Sequence, residues 1–112
     1  MQMLTLAVDD TDTAVDFYTA VLGGRENTRE CLLDGHILCA EIVVGGYRLN
    51  VTERAEIPAA RTPTDVHTLF CPDPERLAAQ CATAGALIEP GLPTVIRDRD
   101  GYRWALRIAA ES

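Results

Sequence analysis

The first apolar pattern of the chain is a simple alternation over Met3 to Val8. A period of two residues indicates a strand with one buried face. Acidic and hydroxyl residues at 9–13 then favour the start of a helix, and apolar residues follow at helical spacing. The helical stripe consists of Ala14, Val15, Tyr18, Val21 and Leu22, with Phe17 at its flank. Gly23 and Gly24 are predicted to end this helix, because glycine adopts the left-handed conformation at little cost.

Short strands joined by tight turns are predicted next, over Arg29–Leu33, His36–Val44 and Tyr47–Thr52. Asp34-Gly35 separates the first pair of strands, and Gly45-Gly46 separates the second pair. Such dipeptides are typical of two-residue hairpin turns, which require positive φ. The first half of the chain is therefore predicted to contain a strand, a helix and three strands, in that order. His36 is expected to be exposed beside its turn.

The same order of elements is predicted again after a linker at 54–64, which carries Pro58 and Pro63. A strand at Asp65–Cys71 precedes a helix that begins at the N-cap Asp73 and ends at Gly85. The last strands are predicted at Ala86–Ile88, Val95–Arg97 and Tyr102–Ile108. We interpret the repeat as an internal duplication within one domain, residues 1–112, with modules at about 1–53 and about 65–110.

The composition limits the binding partners and the cellular compartment that we expect for the protein. The net charge is −7, with 17 acidic residues against 10 basic residues, all of them arginine, which argues against a general nucleic-acid surface. No apolar run reaches the roughly 20 residues of a membrane span, so no membrane partner is expected. A strand follows Met1 at once, so we expect no secretory signal and a cytoplasmic location. The 4 cysteines have no C-x-x-C spacing, and those in apolar patterns, Cys39, Cys71 and Cys81, are predicted to be reduced core thiols.

Two motifs resemble the vicinal oxygen chelate superfamily, which includes glyoxalase I, extradiol dioxygenases, fosfomycin resistance enzymes and bleomycin resistance proteins. The first motif is LTLAVDDTDTAVDFYTAVLGG at Leu4–Gly24, and the second is DRDGYRWAL at Asp98–Leu106. The resemblance implies an α+β fold of the glyoxalase/bleomycin resistance type. In that fold two βαβββ modules form curved mixed sheets around a cleft, and two chains form a homodimer.

Enzymes of this superfamily hold a divalent metal with His, Gln or Glu from the first and last strands of each half. The resemblance places those positions on Met3, Asn50, Val66 and Ala105. None of these is a normal ligand for a hard or borderline cation, so we expect neither a metal nor another cofactor. His67 would become a ligand if the register slipped by one residue. The alternation of side-chain faces along its strand instead favours a histidine in the core or at the edge of the strand. A metal ligand or a general base is the alternative role.

The alternation along the strands nominates a set of ligand-binding residues: Glu41, Arg48, Asn50, Thr68, Phe70, Arg103 and Arg107. The guanidinium groups favour an anionic or carbonyl-rich group on the ligand, with Glu41 as the one acid opposite them. As alternatives, Arg103 and Arg107 are solvated edge residues, and Glu41 pairs with an arginine across the sheet as a structural contact. Trp104 lies on the opposite face of its strand, where core packing is favoured over ligand stacking.

We therefore favour a metal-independent protein that binds a small, partly aromatic molecule, such as an antibiotic or a related metabolite. The alternative is a metal-dependent lyase, isomerase, transferase or dioxygenase of the glyoxalase type. Whether any catalysis remains is left open by the residues themselves.

Overall fold

A computed structural model describes residues 1–56 and 65–108 of the protein. The chain divides into two compact units, Met1–Arg61 and Thr62–Ser112, and this boundary falls inside the predicted linker. The linker residues Pro58 and Pro63 lie outside the described residues. In its described part, each unit carries a four-stranded mixed sheet and a helix, so the predicted α+β class is confirmed. No helix in that part of the chain is long and apolar enough to cross a membrane.

Unit 1 follows the predicted order of strand, helix and three strands. Its elements are β1 (Gln2–Val8), α1 (Thr11–Asp16), a π-helical turn (Phe17–Val21), β2 (Arg25–Cys31), β3 (Ile37–Val44), β4 (Tyr47–Glu53) and a 3-10 turn (Arg54–Glu56). The sheet order is β1-β4-β3-β2, in which β1 runs parallel to β4 and the other pairs are antiparallel. The predicted bounds of β2 are wrong, because it starts at Arg25 and ends at Cys31.

Helix α1 begins as the acidic and hydroxyl residues predict. The carboxylate of Asp10 accepts the backbone N–H groups of Asp12 and Thr13 at 3.1 and 3.3 Å, which satisfies donors at the helix start. Thr11 is fully buried, and its hydroxyl donates to the carbonyl of Ile37 at the start of β3. This bond fixes the helix start against the sheet.

The hairpin between β2 and β3 is present, but its turn is longer than predicted. The N–H of Leu32 donates to the carbonyl of His36 at 2.8 Å, and the N–H of Gly35 donates back to Leu32 at 2.9 Å. Three residues therefore lie within the loop, with Gly35 at a φ of 88°. A three-residue loop that ends in a left-handed glycine is the next most common hairpin connection after the two-residue turn.

Unit 2 repeats the arrangement. Its elements are β5 (Val66–Phe70), α2 (Pro74–Thr83), β6 (Leu87–Glu89), β7 (Thr94–Arg97) and β8 (Arg103–Arg107). The sheet order is β5-β8-β7-β6, again with one parallel pair, β5 and β8. Asp73 caps α2 by accepting the backbone N–H of Arg76 at 3.1 Å, as predicted. β6 starts and ends one position later than predicted, so Glu89 belongs to a strand rather than to a loop.

Each sheet buries one face beneath its own helix. In unit 1 this core contains Leu6, Val8, Ile42, Val44, Leu49 and Val51. In unit 2 it contains Leu69, Ile96, Trp104 and Leu106, together with Ala78 and Cys81 of α2. Trp104 has no exposed surface, so the prediction that it packs in the core is confirmed.

The cysteines are less buried than their apolar surroundings predict. All 4 are free thiols, but Cys81 alone among them is buried. Cys39 and Cys71 are half-buried and Cys31 is exposed. The prediction of core thiols is therefore wrong for Cys39 and Cys71. Cys39 lies on the open side of β3, opposite Thr52 of β4, and Cys71 lies just past the end of β5.

Candidate functional site

Each sheet has a second face on the side opposite its helix, which we call the open face of that unit. The open face of unit 1 carries Met3, Thr5, Cys39, Glu41, Arg48, Asn50 and Thr52. The open face of unit 2 carries Val66, Thr68, Phe70, Glu89, Val95, Arg97, Arg103, Ala105 and Arg107. The nominated binding residues thus fall into two groups, one on each open face, and their role in binding stays a prediction.

On the open face of unit 1, polar side chains form one connected group. Glu41 and Asn50 are partners across β3 and β4. The Oε1 atom of Glu41 lies 3.4 Å from Nε of Arg48, and its Oε2 accepts from Nδ2 of Asn27 at 3.4 Å. The Thr52 hydroxyl donates to Oδ1 of Asn50 at 3.3 Å. The half-buried Glu41 carboxylate is thus held by a cross-strand ion pair, and Asn27 is a neighbour that the sequence pattern did not single out.

On the open face of unit 2, Glu89 holds Arg103 with a two-pronged contact. Nε of Arg103 donates to Oε2 of Glu89 at 2.9 Å, and Nη2 donates to Oε1 at 2.7 Å. Nε of Arg97 donates to the same Oε2 at 3.2 Å. The expectation that Glu41 is the one acid opposite the arginines is therefore wrong, because Glu89 pairs with the guanidinium groups of Arg97 and Arg103. Neither Glu89 nor Arg97 was nominated from the sequence.

Both members of the main ion pair remain charged at neutral pH. Hydrogen bonds from Arg103 hold the pKa of Glu89 below its usual value. The same contact with Glu89 raises the pKa of Arg103. The side chains are 25% and 31% exposed, so the pair is partly screened by solvent and contributes modestly to folding stability.

The other end of this open face is apolar and cationic. Phe70 and Arg107 are register partners across β5 and β8, and Phe70 is 64% exposed. β8 is an inner strand of the sheet, so Arg103 and Arg107 are not edge residues. They are four positions apart along the strand, which corresponds to about 13 Å at the usual strand rise. Ala105 lies between them on the same face and is buried.

The positions that correspond to metal ligands in related enzymes do not fit a divalent cation. Met3 and Asn50 lie on neighbouring strands β1 and β4 of unit 1, and Val66 and Ala105 lie on β5 and β8 of unit 2. Together they offer a thioether, one amide group and two hydrocarbon side chains. Among residues 1–56 and 65–108, no group of three or more His, Cys, Asp or Glu side chains could hold a metal ion.

The two histidines lie away from both open faces. His67 is on the helix-covered side of β5, where its ring centroid lies 5.6 Å from that of Trp104, in agreement with the favoured interpretation of its face. His36 was expected to be exposed, but it lies between two carboxylates. Its Nε2 is 2.9 Å from Oε1 of Glu53, and its Nδ1 is 3.2 Å from Oδ2 of Asp12.

Cys39, Cys71 and Cys81 do not show the activation that a cysteine nucleophile requires. Burial is the main cause that raises the pKa of Cys39 and of Cys71, and burial raises the pKa of Cys81 to about 11. A nucleophilic cysteine needs the opposite shift, toward the thiolate. The geometry of both open faces therefore supports binding through apolar contacts and charged hydrogen bonds.

The sequence matches one family model. Residues 1–106 match the model of the Glyoxalase/Bleomycin resistance protein/Dioxygenase superfamily. No curated protein matches the chain.

Solved structures share the fold over nearly the whole chain. A gene product of Arabidopsis thaliana has 23% identity and a TM-score of 0.78, with 95% of this chain and 94% of that chain covered. TioX from Micromonospora sp. ML1 has 24% identity and a TM-score of 0.70, with coverage of 96% and 98%. TnmS3, described as an antibiotic binding protein from Streptomyces sp. CB03234, has 17% identity and a TM-score of 0.66, with coverage of 98% and 95%. At these identities the likeness establishes the fold.

Proposed function

The chain belongs to the Glyoxalase/Bleomycin resistance protein/Dioxygenase superfamily, and on that basis we propose that it is a metal-independent small-molecule-binding protein. Its ligand is an antibiotic or a related metabolite that the protein sequesters. The observation that carries this proposal is the open face of unit 2, where the exposed Phe70 and Arg107 are register partners on β5 and β8. An aromatic surface with a few charged groups that fix orientation is typical of small-molecule sites.

Metal independence is supported by the side chains at the ligand positions of related enzymes. Val66 and Ala105 have no donor atom, and the amide oxygen of Asn50 already accepts the Thr52 hydroxyl. TnmS3 is described as an antibiotic binding protein, which suggests an antibiotic as the ligand class for this protein.

We further propose that the protein is a cytoplasmic homodimer. The strands β1, β2, β5 and β6 are edges of their sheets, and β2 is exposed along most of its length. Unpaired edges favour association with a second chain unless they are protected. Free thiols at all 4 cysteines are typical of a reducing compartment. Light scattering at micromolar concentration should give twice the chain mass, and a monomer throughout that range contradicts the dimer.

A thermal-shift screen of aromatic natural products tests the proposed function. A ligand at 100 times its dissociation constant should stabilise the protein by about 2.7 kcal/mol. Phe70→Ala and Arg107→Gln should each remove most of that shift while leaving the ligand-free melting temperature unchanged. Leu92→Ala is the matched control, because Leu92 is 97% exposed and lies in the loop between β6 and β7.

Two outcomes contradict the proposal. The first is a ligand whose stabilising effect survives both Phe70→Ala and Arg107→Gln. The second is tight, stoichiometric Mn, Fe, Ni or Zn in purified protein, which would favour the metal-dependent enzyme instead.

A further inference from the structure

Two arginines of unit 2 lie side by side and share one carboxylate. Arg97 and Arg103 are direct partners across β7 and β8. Like charges in this position repel each other, so the pair needs an anion close by. Glu89 supplies that anion from β6, with contacts of 2.7 and 2.9 Å to Arg103 and of 3.2 Å to Arg97. The Glu89 carboxylate therefore occupies the position that an acidic group of a ligand would take on this guanidinium pair.

Arg107 has a different environment on the same open face. Among the described residues of the chain, no carboxylate forms an ion pair with Arg107. Its register partner is the exposed Phe70 rather than an acidic residue. One end of the face is therefore already neutralised, and the other end presents Arg107 at the strand position paired with the exposed Phe70.

We propose that Glu89 is a specificity-determining residue, which closes the Arg97–Arg103 pair to anions and directs a ligand's single anionic group to Arg107, beside Phe70. The ligand class that follows is a planar aromatic monoanion. Small anions without a ring are rejected, because they meet a neutralised pair at one end and gain no stacking at the other. This inference rests on the proposed function and specifies the ligand class for the same face.

Two features let the Glu89 carboxylate compete with an anion from solution for the Arg97–Arg103 pair. Its carboxylate is attached to β6 of the same sheet, so it competes at a high effective concentration and loses no translational freedom. Its contact with Arg103 is two-pronged, the geometry in which guanidinium–carboxylate pairs are strongest. The lowered pKa of Glu89 keeps the carboxylate ionised near neutral pH, so the competition persists under ordinary conditions.

Two fluorescent probes of similar shape test the inference. Anilinonaphthalene sulfonate carries one anionic group, and N-phenylnaphthylamine has the same aromatic system without it. Binding to this face is defined as the part that Phe70→Ala removes. Arg107→Gln should weaken the sulfonate by about tenfold, the usual size of one charged hydrogen bond, and leave the neutral probe unchanged.

The Glu89→Gln variant should strengthen the binding of the sulfonate instead of weakening it. Once the Arg97–Arg103 pair is open, total binding of the sulfonate should become about tenfold tighter, and this gain should survive Phe70→Ala because the pair lies at the other end of the face, whereas the neutral probe should bind as before. Glu89→Asp keeps the charge but shortens the side chain, so it should give an intermediate affinity. It also provides the test if Glu89→Gln fails to fold, which circular dichroism and the melting temperature will show.

The matched control is Glu26→Gln in unit 1. Glu26 binds Arg29 with the same two-pronged geometry, at 2.9 and 2.8 Å, and this substitution removes the same charge. It should leave the affinities of both probes unchanged. If Glu26→Gln tightens the sulfonate as much as Glu89→Gln, the effect is one of net charge and the inference is wrong.

The remaining outcomes separate the inference from the proposed function. If both probes bind to the face and Glu89→Gln changes neither affinity, the inference fails and the proposed function stands. If Phe70→Ala does not reduce the binding of either probe to wild type, Glu89→Gln or Glu89→Asp, the inference and the proposed function both fail.

Discussion

Trp104 and His67 are register partners across β8 and β5, and their ring centroids lie 5.6 Å apart on the helix-covered face of unit 2. Trp104 is fully buried there, whereas Phe70 on the other face is 64% exposed. Trp104→Ala should therefore lower the free energy of unfolding by about 3–5 kcal/mol, because it removes a large buried side chain and leaves a cavity. Urea unfolding measures this loss.

Phe70→Ala is the control for the Trp104 substitution. It also truncates an aromatic residue in unit 2, but it should change the free energy of unfolding by less than about 0.5 kcal/mol, because the ring is largely exposed. Equal losses in the two variants would mean that the faces of the sheet in unit 2 are assigned incorrectly.

The assignment of faces in unit 2 also shows how much of the candidate site can be predicted from the sequence. Alternation along a strand is a local property, so the residues alone predict that Trp104 and Arg103 lie on opposite faces, and the family resemblance predicts which face is covered by the helix. The partner of Arg103 cannot be predicted in this way, because the partner depends on which strands are neighbours and on the register between them. The predicted strand Ala86–Ile88 ends one residue before Glu89, and this places the acid that binds Arg103 outside the candidate set.

His36 is a second case in which long-range structure decides. Its position after Asp34-Gly35 predicts an exposed residue, and the turn is indeed there. Its carboxylate partners come from α1 and from the end of β4, at separations of 24 and 17 residues. No local pattern indicates such contacts.

Gly24 has no space for a side chain. A Cβ atom at this position would lie 2.6 Å from the carbonyl oxygen of Tyr18 and 2.8 Å from a methyl carbon of Ile42. Both neighbours are fixed, one by the backbone and one by burial in the core. Gly24→Ala should therefore cost about 1–3 kcal/mol of stability through overpacking, as measured by chemical unfolding.

Gly46→Ala is the matched control for Gly24→Ala, because nothing lies within 4 Å of an added Cβ there. Its effect should stay within about 0.5 kcal/mol. A neutral Gly24→Ala would show that the chain relaxes between α1 and β3 at little cost.

Chelation should not change the melting temperature. The side chains of Met3, Asn50, Val66 and Ala105 lack the donor set of a divalent metal site, so metal removal has no binding energy to take away. Differential scanning fluorimetry with and without a chelator measures this. A decrease of several degrees that one divalent ion restores would show that the ligand positions are assigned incorrectly, and His67 would be the first residue to substitute.

The ion-pair cluster around His36 should make the stability of unit 1 depend on pH. The hydrogen bond with Glu53 is the main cause that raises the pKa of His36 above its ordinary value of 6.5, and Asp12 adds to it. A raised folded-state pKa stabilises the folded protein fully below the unfolded-state value, and this contribution is lost as pH rises through the folded-state pKa. Wild type should therefore be more stable than His36→Gln below about pH 6.5, and the difference should shrink as pH increases.

Subtracting the variant from wild type isolates His36, because other titrating groups contribute similarly to both proteins. Urea unfolding across this pH range gives the difference, and NMR titration of the imidazole gives the pKa directly. Glu53→Gln should lower the pKa of His36 more than Asp12→Asn does, since Nε2 lies 2.9 Å from Glu53 and Nδ1 lies 3.2 Å from Asp12. A stability difference that is constant or grows with pH would mean that the protonated imidazole does not stabilise the contact between α1, the hairpin turn and the end of β4.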